Sequence, residues 1–209
     1  MNEYLRFALV TFPAVFFIMD PLGLLPIFMA ITASDTPEKR RDTARRATLL
    51  AFGLMTFFTL FGSFVFKLFG ISMSALKVAG GILLLMTSTD MLRAQPSRTR
   101  SSPEETHESE AKEDVAVVPL AMPLLAGPGS IATAMVLAAR GPHWSYAIPV
   151  VASIAVTCLV AYLLLRAAAR LTRLLGTTGL AVLERIMGLL LAAIAVQFVA
   201  DGVKTIMQR

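Results

Sequence analysis

The residues of this chain that could do chemistry lie in two short motifs that break helices. The first motif is Asp20-Pro21-Leu22-Gly23-Leu24-Leu25-Pro26, and the second is Gly127-Pro128-Gly129-Ser130. Pro21 and Pro128 lie 107 residues apart, and each motif interrupts a long apolar stretch. Inside a lipid bilayer, a broken helix is tolerated only where protein or a cavity satisfies the freed backbone groups. Each motif therefore predicts a specialised site within a membrane-spanning segment.

Asp20 is the sharpest candidate, because it lies near the middle of the first apolar stretch. An ionised side chain at the centre of a membrane helix costs about 2.5–3.5 kcal/mol, so an acid there is a functional hypothesis by default. A structural interpretation is also open, in which Asp20 caps a half-helix that begins at Pro21. The two interpretations are compatible, since one carboxylate oxygen can cap while the other faces a cavity.

Gly23 and Pro26 extend the predicted irregularity of the first motif over one to two turns. Gly23 allows close approach of neighbouring backbones. Pro26 is expected to lie deep in a helix, where proline removes a donor and clashes with the carbonyl four residues back. The motif then offers carbonyls beside a carboxylate, which suit a cation or an ammonium group. The alternative is a simple kink packed against neighbouring helices.

The second motif contains no acid and predicts a site of opposite character. Gly127 is expected to cap a helix that begins at Pro128, with the amides of Gly129 and Ser130 and the Ser130 hydroxyl exposed. A helix N-terminus carries about half a positive charge and free N–H donors, which suit a carboxylate. The alternative is again a kink, eased by small residues.

Together the two motifs match the two charged groups of a small zwitterion. The first motif accepts hydrogen bonds from an ammonium group, and the second donates hydrogen bonds to a carboxylate. Asp20 could in addition couple binding to H⁺ or Na⁺. The predicted substrate-binding residues are Asp20, Pro21, Gly23, Gly127, Pro128, Gly129 and Ser130.

Composition places these motifs in an integral membrane protein. Of the 209 residues, 56% are hydrophobic and only 16% are charged, against about 25% charged in soluble domains. The mean hydropathy is +0.70. Cys158 is the single cysteine, which rules out an internal disulfide, and His107 and His143 fall in polar connections. We therefore expect no metal site, no cofactor and no catalytic constellation.

The apolar stretches predict an all-α membrane protein with six transmembrane helices, of which the first and fourth are broken. About 20 apolar residues are needed to cross the hydrocarbon core. Three spans precede a polar, acid-rich linker at 94–114 and three follow it, which predicts two repeats, 1–93 and 115–209, of opposite orientation. The predicted spans are 7–31, 47–69, 73–92, 115–138, 146–165 and 182–200.

Basic residues predict the orientation of these spans. Twelve Lys and Arg lie in the connections after spans one, three and five, against five on the opposite side. Because Lys and Arg are in excess on the cytoplasmic side, we expect both termini outside and the linker 94–114 in the cytoplasm. The net charge of +5 follows this topology pattern, so we expect no nucleic-acid partner.

The offset of 107 residues also aligns positions outside the two motifs. Gly81 matches Gly188, and Leu84 matches Leu191, in spans three and six. Chance is the alternative, because leucine-rich helices align easily. The coincidence of proline and glycine matches at one offset favours a 3+3 inverted repeat.

The two motifs also resemble those of a known family. The segments FIMDPLGLLPIF, at 17–28, and PLAMPLLAGPGSI, at 119–131, are similar to motifs of the MarC family (UPF0056 type), and the six-span layout is similar as well. The resemblance implies a multi-pass protein of the bacterial inner membrane. It also implies transport of small neutral amino acids such as glycine and alanine, as described for some members. The positions carried over from the family are Asp20, Gly23, Pro128, Gly129 and Ser130.

Two classes of function are consistent with the sequence. The first is a secondary transporter, since paired broken spans indicate a transporter's binding site and no ATP-binding motif is present. The second is a structural or regulatory membrane protein that transports nothing. An intramembrane enzyme is not expected, because no span holds a Ser-His, His-Glu or paired-Asp arrangement. The sequence predicts no oligomeric state.

Overall fold

The computed structural model describes residues 3–93, 125–140 and 144–208. These residues form helices joined by turns, and no β-strand occurs within the described ranges, so the all-α prediction holds for them. A short 3-10 turn covers Trp144–Tyr146. The helices are α1 (Glu3–Met19), α2 (Leu24–Ile31), α3 (Pro37–Leu68), α4 (Met73–Leu92), α5 (Pro128–Ala138), α6 (Ala147–Arg166) and α7 (Ala168–Met207).

Five stretches of the described residues are long and apolar enough to cross a membrane. This confirms a multi-pass integral membrane protein. α4 has the bounds predicted for the third span, and α6 differs from the fifth predicted span by one residue at each end. The five stretches are Arg6–Ile31, Pro37–Leu68, Met73–Leu92, Ala147–Arg166 and Thr178–Met207.

The predicted fourth span is described only in its second half. Of 115–138, the structure describes residues 125–138, and α5 has 11 residues, fewer than a helix needs to cross the hydrocarbon core. The linker 94–114, with His107, and residue His143 lie outside the described residues. The count of six spans and the 3+3 repeat with its bounds therefore stay predictions.

α3 begins ten residues before the predicted second span. Thr36 caps it, with its Oγ1 accepting from the Lys39 N–H at 3.3 Å, and Pro37 occupies the first helical position. Asp42 pairs with Arg45 at 3.3 Å and with Arg46 at 2.7 Å along the exposed first turns. Hydropathy marks only the apolar part of a helix, whereas the cap marks where the helix begins.

α4 and α7 pack antiparallel with almost no space between their backbones. A Cβ at Gly81 would lie 2.9 Å from the Ala195 carbonyl oxygen, and one at Gly188 would lie 3.2 Å from the Ser88 carbonyl oxygen. A Cβ at Gly202 would lie 2.9 Å from the Ser74 carbonyl oxygen. Small residues that let helix backbones touch are typical of tight contacts in membranes.

Two glycines with positive φ change the direction of the chain, one before α4 and one within α7. Gly70 has φ +69 and follows α3, and Gly176 has φ +64 and interrupts α7. After Gly70, Ser72 caps α4 by accepting from the Ala75 N–H at 3.1 Å. Glycine adopts this left-handed conformation without steric cost.

The contact between α4 and α7 predicts opposite effects of one substitution at two glycines. Gly81→Ala should lower the free energy of unfolding by about 1–3 kcal/mol, because the new methyl group overlaps backbone. The matched variant Gly53→Ala, in α3, meets nothing within 4 Å and should be neutral or stabilising by up to about 1 kcal/mol. Unfolding midpoints in detergent compare them, and equal midpoints would contradict this packing.

Candidate functional site

The first span is broken between Met19, the last residue of α1, and Leu24, the first residue of α2. Asp20 takes φ +45 there, and it is the only non-glycine residue with positive φ in the described ranges. Aspartate tolerates this conformation better than most residues, because its short polar side chain bonds to the local backbone. The break therefore lies where the sequence predicts it.

The Asp20 carboxylate stabilises the turn that follows it. Oδ1 accepts a hydrogen bond from the Gly23 N–H at 3.0 Å, and only 2% of Asp20 is exposed. The predicted bond from a free backbone amide to Asp20 is thus present, but the predicted helix start at Pro21 is wrong. Pro21 lies in the turn, and α2 begins at Leu24, with Gly23 as its N-cap.

Pro26 is compatible with the start of α2 at Leu24, and here the sequence interpretation was wrong. In a helix that begins at Leu24, Pro26 is the third residue. The first N–H groups of a helix have no acceptor within it, so a proline there removes nothing. Pro26 is therefore part of a regular helix start instead of a second distortion.

Gly23 is required by the position of Asp20. A Cβ on Gly23 would overlap Oδ2 of Asp20 and lie 3.1 Å from Oδ1. Any other residue would push the carboxylate away from the turn it stabilises. The predicted close approach at Gly23 is real, and the group that approaches is a side chain of the same motif.

The second motif starts a helix as the sequence predicts. Gly127 is extended, with φ −69 and ψ 163, and Pro128 is the first residue of α5. The Ile131 N–H donates to the Gly127 carbonyl at 2.9 Å. The amides of Gly129 and Ser130 lie in the first turn, where a helix supplies no acceptor.

The two motifs meet in the interior of the protein. The Ser130 hydroxyl donates a hydrogen bond to the carbonyl oxygen of Ile18, in the last turn of α1, at 3.3 Å. Ser130 is 4% exposed and Ile18 is 3% exposed. The N-terminus of α5, which is partly positive, thus adjoins the C-terminus of α1, which is partly negative.

Close packing against α4 holds the start of α5 in place. A Cβ at Gly129 would lie 2.6 Å from Cδ2 of Leu84, and one at Gly80 would lie 2.7 Å from Cβ of Ala132. The Thr133 hydroxyl donates back to the Gly129 carbonyl at 2.8 Å. The small residues of the second motif therefore have a packing role besides the predicted binding role.

The arrangement places hydrogen-bond acceptors and donors side by side. Asp20 and the carbonyl end of α1 form the acceptor side, and the first turn of α5 with Ser130 forms the donor side. The Ile18 carbonyl was missed in the sequence, since main-chain atoms leave no residue-type signal. The binding and coupling roles of the predicted residues stay predictions.

The hydrogen bond from the Gly23 N–H to Asp20 predicts that Asp20→Ala destabilises the protein more than Asp20→Asn does. Asparagine keeps an acceptor and tolerates positive φ, whereas alanine loses the bond and is strained. We expect Asp20→Ala to lower the free energy of unfolding by about 1–3 kcal/mol. Exposed Asp42→Ala, which removes surface ion pairs, should cost at most about 1 kcal/mol. Detergent unfolding midpoints measure this, and an Asp20→Ala midpoint equal to that of Asp42→Ala would refute it.

Comparisons with known proteins cover nearly the whole chain. A family model described as MarC family integral membrane protein matches residues 5–207. UPF0056 membrane proteins of Methanocaldococcus jannaschii and Bacillus subtilis (YvbG) are 38% and 37% identical, over 96% and 95% of this chain and 97% and 94% of theirs. UPF0056 membrane protein YhcE of Escherichia coli is 34% identical over 93% of this chain and 91% of its own. No solved structure gives a significant match.

Proposed function

The chain belongs to the MarC family of integral membrane proteins, and from that premise we propose that it is a secondary transporter of small neutral amino acids. The observation that carries the proposal is the contact of the two broken elements, Ser130 of α5 on the Ile18 carbonyl of α1. Broken helices that meet inside a membrane are the recurring binding-site device of secondary transporters.

The chemistry of the two elements suits an amino acid backbone. The ammonium group would bind Asp20 and the carbonyl end of α1, and the carboxylate would bind the first turn of α5 through Gly129 and Ser130. Opening the Ser130–Ile18 bond would give the substrate access to both groups. Because the region is tightly packed around Gly23 and Gly129, glycine and alanine are the favoured substrates.

A 3+3 inverted repeat forms part of the proposal. α2 ends at Ile31 and α5 ends at Ala138, at the offset of 107 residues. Gly81 and Gly188 share that offset, and so do the carbonyls of Ser88 and Ala195 that they face. Such equivalent contacts across α4 and α7 support a two-fold relation. In transporters of this design, the repeats move against each other around the bound substrate.

Coupling and orientation complete the proposal. An ionised carboxylate is costly to bury in a membrane, so a proton or Na⁺ at Asp20 would favour the closed arrangement. We place the protein in the inner membrane with both termini outside and the linker 94–114 in the cytoplasm, as the distribution of basic residues indicates. The bilayer itself is then the main partner.

Reconstitution tests the transport proposal directly. Liposomes with labelled glycine or alanine should show saturable uptake that responds to an imposed H⁺ or Na⁺ gradient. Asp20→Asn should abolish the response to the gradient, whereas Asp42→Asn, at surface ion pairs with Arg45 and Arg46, should retain it. Absence of saturable flux under both gradients would refute transport and support a structural or regulatory role.

Ser130 provides a second test of the binding site. Ser130→Ala removes a donor from the site, and the loss of one hydrogen bond is worth about 0.5–1.5 kcal/mol. We expect the KM for glycine to rise about 2- to 10-fold. Ser153→Ala is the matched control, since its hydroxyl bonds the Pro149 carbonyl within α6 at 2.7 Å. Equal KM values for the two variants would remove Ser130 from the site.

A further inference from the structure

Two cavities lie along the contact between α3 and α6, outside the two helix-breaking motifs. The first has a volume of about 400 Å³ and lies where the ends of α2 and α6 meet the starts of α3 and α7. The second has a volume of about 270 Å³ and lies between α3 and α6. The first is lined by Phe28, Glu38, Arg40, Arg41 and Arg166 among others. The second is lined by Arg45, Leu49, Phe52, Cys158, Leu159 and Tyr162 among others.

The two cavities are neighbours along the helix pair. Arg41 lines the first cavity, Tyr162 lines the second, and Nε of Arg41 donates to the Tyr162 hydroxyl at 3.4 Å. Arg41 and Arg45 are four residues apart on α3, as are Tyr162 and Arg166 on α6, so each pair shares a helix face. Together the two cavities therefore have a cationic end, which is the first cavity, and an apolar groove, which is the second.

The apolar groove opens to the surface that faces lipid. Leu49 is 61% exposed and Leu159 is 58% exposed, and both helices are long and apolar enough to span the membrane. A lipid acyl chain can therefore reach the groove directly from the bilayer. A polar soluble metabolite, by contrast, would gain no binding energy from this apolar groove.

Two arginines at the cationic end are available to an anion. Arg40 donates to the carbonyls of Thr32 and Ala33, each at 2.8 Å. Arg41 and Arg166, by contrast, make no ion pair with any residue in the described ranges. With three arginines and one acid, Glu38, the first cavity has an excess of positive charge. Such a cavity favours a ligand with net negative charge.

We propose that α3 and α6 bind one anionic phospholipid. Its phosphate binds Arg41 and Arg166, because guanidinium groups bind phosphate oxygens with paired, charge-assisted hydrogen bonds. One acyl chain lies along the groove between Leu49 and Leu159. Glu38 accepts from a headgroup hydroxyl, which favours phosphatidylglycerol. Basic pockets between transmembrane helices bind anionic headgroups in this way.

Lipid titration of the purified protein tests the headgroup end. Phosphatidylglycerol, phosphatidylethanolamine, phosphatidylcholine and inorganic phosphate are added in neutral detergent, and bound lipid is counted by native mass spectrometry. We expect phosphatidylglycerol to bind most tightly and Arg41→Gln/Arg166→Gln to weaken it about 10- to 30-fold. The matched double variant Arg93→Gln/Arg140→Gln removes two exposed arginines that line neither cavity and should bind as the wild type does.

Filling the apolar groove tests the other end, and it decides the outcome if the arginine variant fails to fold. Ala155 is exposed and lines the second cavity, so Ala155→Phe fills the groove without disturbing the core. It should weaken phosphatidylglycerol binding several-fold. The proposal is overturned if inorganic phosphate competes as well as the lipid, if phosphatidylethanolamine or phosphatidylcholine binds equally well, or if Ala155→Phe and the arginine variant both bind normally.

Discussion

Main-chain hydrogen bonding at the break after Met19 is the constraint on which the rest of this structure depends. The chain stops one helix and starts another in the buried interior, where water cannot satisfy the backbone. Asp20 satisfies the Gly23 amide, and Ser130 satisfies the Ile18 carbonyl from a helix more than a hundred residues away. Gly23 leaves room for the Asp20 carboxylate, and Gly129 and Gly80 let the start of α5 pack closely against α4.

The helix contacts around the candidate site differ in how closely the two helices approach each other. α4 and α7 touch through glycines along their length, at Gly81, Gly188 and Gly202, so that backbone lies against backbone. α1 and α5 meet through a hydrogen bond of 3.3 Å, which is long for a hydroxyl donor. The closer contact joins α4 to α7, and the longer one joins the two helix-breaking motifs. The transport proposed above would require this distribution of packing.

Much of this fold follows from local sequence, and the parts that do not have a common cause. Apolar length predicts α4 and α6, and Pro128 predicts the start of α5, because spans and caps are local features. Pro26 was misinterpreted, since its effect depends on where the helix begins. The Ile18 carbonyl and the Arg41–Tyr162 contact were missed because each joins residues far apart in the chain.

The contact between α4 and α7 also orders events during synthesis. α4 leaves the ribosome early, whereas its partner is the last helix of the described chain. Until α7 is made, the face of α4 around Gly81 lacks the helix that covers it in the folded protein. The cleft at Gly81, where glycine has no side chain, is thus uncovered until α7 is present. The contact between α4 and α7 can form only after α7 has been synthesised, and a nascent chain without α7 would present this cleft to the membrane.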